Sequence, residues 1–86
     1  MGAVNWRKVP SVMTGGKQYF YVLFLWENYS REAQAAMGLD YKVSVGWDRR
    51  VKKWEVCTGD NFQKSLGFFK TDREGRQFIE ARLLSK

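Results

Sequence analysis

Hydrophobic and polar positions alternate in short bursts along this chain, and the strongest burst comes early. Tyr19 to Trp26 (YFYVLFLW) is aromatic or aliphatic throughout, which is strand composition. Being apolar on both faces, it predicts a central strand covered on each side, or one whose second face meets a partner. Upstream, Val4 to Val12 alternates weakly and carries the only proline, Pro10. A proline cannot donate to a ladder, so this run predicts an edge strand or an irregular arm. Met13 to Lys17 (MTGGK) reads as a turn. Ser30 to Met37 (SREAQAAM) predicts a short helix after the aromatic strand, capped by Ser30, favoured by its alanines and ended by Gly38.

Residues 41–84 repeat a shorter pattern three times and then change period. In YKVSVGW, Tyr41, Val43, Val45 and Trp47 share one face, and Lys42, Ser44 and Gly46 the other. Trp54, Val56 and Thr58 oppose Lys53, Glu55 and Cys57. After the turn residues Gly59-Asp60-Asn61, Leu66 and Phe68 alternate with Ser65, Gly67 and Phe69. One apolar and one small or charged face per strand is what a sheet packed on one side by a helix requires. That helix is signposted by Thr71 as N-cap, Glu74 three residues on, and Asp72 in the positive first turn. Gly75, Phe78, Ile79 and Arg82/Leu83 form its apolar stripe, with Arg73, Arg76 and Glu80 largely off it. Arg73, Arg76 and Arg82 read as solvated, and Arg76 and Glu80 are spaced for an i,i+4 pair. Gly75 costs a helix up to ~1 kcal/mol, so it predicts a close approach to a strand.

The resulting expectation is an α+β fold. It has a four- or five-stranded, mainly antiparallel sheet, a C-terminal helix packed on one face, and a short helix after the second strand. Eighty-six residues fit one domain. Within it, 1–18 is an arm or edge strand, 19–40 the aromatic strand and short helix, and 41–86 three strands plus a helix.

Charge adds a partner class. The chain has 15 Lys+Arg against 9 Asp+Glu, net +6. Residues 1–40 carry 4 basic and 3 acidic side chains, and residues 41–86 carry 11 and 6, so the second half holds nearly all the excess. This predicts a polyanionic or acidic partner, with plain solubility as the bland alternative.

Composition removes other classes. With no histidine and a single cysteine, Cys57, neither a Ser-His-Asp nor a Cys-His arrangement can form, and the usual zinc sets are excluded. Cys57 reads as a small core or half-buried residue and fits a reducing compartment. No signal-peptide layout opens the chain, and its longest apolar run is far short of the ~20 residues of a spanning helix. The expectation is a cytoplasmic, non-enzymatic protein with no cofactor, no metal and no membrane partner.

Two sets of residues are candidates for binding. The segment Asp48-Arg49-Arg50-Val51-Lys52-Lys53 puts four cations on a hairpin tip between Trp47 and Trp54, a phosphate-contacting pattern or an ordinary solvated tip. The two indoles read as core or as base-stacking platforms. The polar sheet face supplies Lys42, Ser44, Lys53, Glu55 and Lys64.

At KWEVCTG and KSLGFFKTDREGRQFIEARLL the chain resembles three-strand-plus-helix DNA-binding modules. These are the arm-binding domains of tyrosine integrases and the ethylene-response-factor domains of plants. The shared features are Lys53-Trp54 opening a strand, Leu66-Gly67-Phe68-Phe69 ending one, and Thr71 capping a helix with Glu74 in its first turn. The resemblance covers about half the chain and implies a sheet face set on duplex DNA, through Lys42, Ser44, Lys53 and Glu55 with Arg49 and Arg50 at the tip. Gly75 stands where that helix has alanine, and Tyr19–Trp26 has no counterpart. The strands-before-helix order is also similar to Whirly-type single-strand binders.

The function expected is therefore a small basic nucleic-acid-binding protein, for DNA or RNA, contacting phosphates through Lys42, Ser44, Trp47, Arg49, Arg50, Lys52, Lys53 and Lys64. The alternative is a protein-interaction module, such as a viral or mobile-element inhibitor docking on an acidic host protein. Its interface would lie along the aromatic strand, with Tyr19, Tyr21, Trp26 and Tyr29. An open sheet with a long aromatic strand also suits a homodimer.

Overall fold

Each strand pairs with its sequence neighbour in the computed structural model, which describes residues 4–10 and 19–84. The order is β1 (Arg7–Pro10), β2 (Tyr19–Phe24), β3 (Lys42–Asp48), β4 (Lys53–Thr58) and β5 (Lys64–Phe69), antiparallel throughout. Between β2 and β3 come a 3-10 turn, Leu25–Glu27, and the short helix α1, Arg31–Ala36. Helix α2, Asp72–Leu84, is the last element among the described residues. The α+β expectation holds, with five strands. Pro10 ends the edge strand β1, where no neighbour needs its missing N–H. The turn read at Met13–Lys17 lies outside the described residues.

Alternation decides which face each strand buries. Leu23, Val43, Val45 and Val56 point towards α2, which answers with Ile79 and Leu83; Leu25 and Leu39 complete the cluster. Leu25, Val43, Val45, Val56 and Ile79 are fully buried. Each such side chain contributes on the order of 1.5–3 kcal/mol relative to exposure. Gly75 is what lets α2 settle so close. A Cβ there would stand 3.0 Å from Val45 Cγ1 and 3.1 Å from Val56 Cγ2. The close approach read from the sequence is therefore present. The helix start is capped as expected, with Thr71 Oγ1 accepting from Glu74 N at 3.1 Å. Glu74 Oε1 accepts from Lys70 N instead of Thr71 N.

Two buried polar side chains tie the connections to the sheet. Thr58 Oγ1 accepts from Asp40 N at 2.9 Å and faces the Lys42 carbonyl at 2.8 Å. Gln34, in α1, donates to the Tyr29 carbonyl at 2.9 Å and accepts from Tyr41 N at 2.7 Å. Both are satisfied, as buried polar groups must be. Ser30 caps α1 by accepting from Ala33 N.

Four local readings are corrected. The second strand stops at Phe24, so Trp26 lies in the 3-10 turn and not in the ladder. A register shift at Val56/Cys57 sets Phe69 opposite Trp54 and Phe68 opposite Glu55. Phe69 therefore packs inward, 5.1 Å from Phe78, while Phe68 faces out. Arg76 pairs with Asp72 at 3.5 Å and lies 4.3 Å over the Tyr21 ring; Glu80 instead accepts from Trp6 Nε1 at 2.8 Å. Arg82 donates to the Met37 carbonyl at 3.0 Å and covers Phe78. Of the three helix arginines, only Arg73 is exposed as expected.

Candidate nucleic-acid interface

With α2 on one face, no helix among the described residues packs on the other, although Val22 within it is buried. Register assigns it Arg7 and Val9 from β1, then Phe20, Val22 and Phe24 from β2. It adds Lys42, Ser44 and Gly46 from β3, Lys53, Glu55 and Cys57 from β4, and Ser65 and Phe68 from β5. Lys42, Ser44, Lys53 and Glu55 thus share this face, as the alternation predicts. Lys64 does not join them. It is registered against Thr58, in the helix-side row, because the bulge in β5 resets the alternation. Trp47 is also on the helix side, paired with Trp54 at 5.7 Å between ring centroids. Trp54 packs against the core.

Cations gather at both ends of β3. Arg49, Arg50, Lys52 and Lys53 cluster at the β3–β4 tip, where all four are exposed. The turn is built by Asp48, whose carbonyl accepts from Lys52 N at 2.8 Å and whose Oδ1 accepts from Arg50 N at 2.9 Å. Asp48 also meets Arg50 Nε at 3.6 Å, but the Arg50 side chain remains 88% exposed. A single carboxylate already engaged by the turn leaves the tip strongly positive. Lys42 stands at the other end of β3, six residues from Asp48, or about 20 Å at strand rise. Glu55 and Phe68 lie between. Burial, together with the Glu55 carboxylate, pushes the Cys57 thiol up to about 11, so it stays protonated and a poor nucleophile at neutral pH.

Around Lys42 the structure brings Trp26, expected on the aromatic strand, together with Tyr41, Phe24, Arg7 and Phe62, which the sequence did not nominate for binding. Trp26 stacks on Tyr41 with centroids 4.3 Å apart and planes 20° apart. Phe24 lies 4.7 Å from Trp26 on the strand side, and Arg7 covers Phe24 while pairing with Glu27 at 3.0 Å. Lys42 Nζ lies 4.7 Å from the Phe62 ring. Alternation places Tyr41 with the core valines. Instead Tyr41 precedes β3 with a left-handed backbone, φ 71°, which swings its ring out to Trp26.

The aromatic interface expected along β2 divides in the same way. Tyr21 points at α2 and packs on the core; burial first, and then Asp72, raise its pKa. Tyr29 also packs on the core. Tyr19 and Trp26 are exposed.

Comparison with protein-family models, with curated proteins and with solved structures finds no match. No helix among the described residues is long and apolar enough to cross a membrane.

Proposed function

We propose that this protein binds nucleic acid, seating phosphates on the β3–β4 tip and extending the ligand across the open sheet face. The observation that carries the reading is the tip itself. Four exposed cations occupy the five positions 49–53, and the adjoining carboxylate, Asp48, is engaged in shaping the turn. Such a cluster gains affinity by releasing condensed counterions from the phosphate backbone. Lys42 and Ser44 on the same face lengthen the contact, whereas Lys64 and Trp47 fall outside it. The resemblance of residues 41–84 to sheet-face DNA-binding modules is a second ground for the reading.

Fluorescence polarisation with labelled single- and double-stranded oligonucleotides tests this. Binding is expected at low salt, falling steeply as salt rises. Arg49→Ala with Arg50→Ala should flatten the plot of log affinity against log salt by about 1.8 on duplex, at ~0.9 per phosphate contact. No polarisation change with either probe at low salt would falsify the proposal. Docking on an acidic protein through β2 is the weaker reading, because Tyr21 and Tyr29 are turned inward and only Tyr19 and Trp26 remain presented.

A further inference from the structure

The Trp26–Tyr41 stack stands at the surface. Neither ring is one of the buried core side chains, and the two residues are 44% and 40% exposed. The chain nonetheless holds them firmly. Tyr41 adopts a left-handed backbone that costs an L-residue roughly 1–2 kcal/mol. It is fixed there on both sides: its N–H is taken by the buried Gln34 carbonyl at 2.7 Å, and its carbonyl accepts from Leu25 N at 2.9 Å. Trp26 is anchored by fully buried Leu25, its neighbour in the 3-10 turn. Strain of this kind persists where the surroundings enforce it, and it concentrates at sites that bind. Lys42 is the next residue along, on the open face, and that face continues through Phe24 and Phe68 to the basic tip.

We propose that the Trp26–Tyr41 stack receives an unpaired nucleobase, so that the ligand of this face is single-stranded nucleic acid. The inference rests on the nucleic-acid reading above and narrows it. In a duplex the base faces are hidden within the helix stack, and a protein meets phosphates, sugars and groove edges. A single strand offers each base's π-face, which aromatic side chains take up with little regard for sequence. The surface matches that ligand. Rings at one end can hold a base beside a lysine positioned for its phosphate, and four cations at the other end hold the strand about 20 Å away.

The test uses the intact chain, a labelled oligothymidylate, the matching duplex, and an oligothymidylate carrying abasic spacers. The single strand is expected to bind more tightly than the duplex. Trp26→Ala should weaken single-strand binding by about 5- to 150-fold, the range for loss of one base stack. It should leave duplex binding unchanged, and Trp26→Phe should retain most of the affinity. The abasic strand should bind the unaltered protein as weakly as the full strand binds the alanine variant, an arm that needs no substitution. Equal affinity for intact and abasic strands, or for single strand and duplex, overturns the base-stacking inference. If binding in that case still depends on Arg49 and Arg50, the phosphate reading stands. Absence of binding to all three probes overturns both.

Discussion

Lys52 closes the β3–β4 turn with φ 56°, a conformation suited to glycine. A left-handed L-residue costs roughly 1–2 kcal/mol, and glycine's extra unfolded-state freedom returns about 0.5–1 kcal/mol of that. Lys52→Gly should therefore stabilise the fold by up to about 1 kcal/mol. The check is a higher urea midpoint at unchanged slope. That a lysine occupies the position is consistent with a use for its charge. The same backbone region explains what the sequence could not show at Tyr41. Alternation runs Tyr41-Val43-Val45 without a break, and nothing in those residue types announces a left-handed turn before β3. The stack with Trp26 was therefore hidden, although both aromatics were in plain view.

Helix α2 owes its depth to Gly75. Alanine would improve helix propensity by about 1 kcal/mol, but its Cβ would press on Val45 and Val56, two fully buried side chains with stiff χ1 torsions. Overpacking costs typically about 1–3 kcal/mol, so Gly75→Ala should lower stability by about 1 kcal/mol, read as a lower melting temperature. This position was legible because a glycine inside an otherwise apolar stripe has few other reasons to be there. Strand β5 was not. With phenylalanine at both 68 and 69, either could face the core, and the bulge opposite Cys57 decides it by tertiary fit. Arg76 and Arg82 show a similar limit. Helical spacing puts Arg76 off the stripe, but their long stems reach back over Tyr21 and Phe78.

Across the whole molecule, the strand sequence, the covering helix and the hairpin tip were readable from period and turn chemistry. The distribution of charge over the surface was not. It depends on register, which separates Lys42 from the tip and removes Lys64 from the face. The distance has a measurable result. Groups some 20 Å apart that meet different phosphates of the ligand act nearly independently. Losses in binding free energy from Lys42→Ala and from Arg49→Ala with Arg50→Ala should add to within about 0.5 kcal/mol in the triple variant. A larger discrepancy in titrations at fixed salt would mean that the two contacts are energetically coupled through the strand they share.

The sheet lists its strands in the order the chain supplies them. Every rung therefore closes over a modest length of backbone, so the search for partners is local and its entropic toll low. The sealing element comes last. Until α2 arrives, Val43, Val45 and Val56 have no lid, and a nascent chain halted before Asp72 is a ribbon wet on both sides. The inward side of the pleated layer is dry only once α2 lies against it.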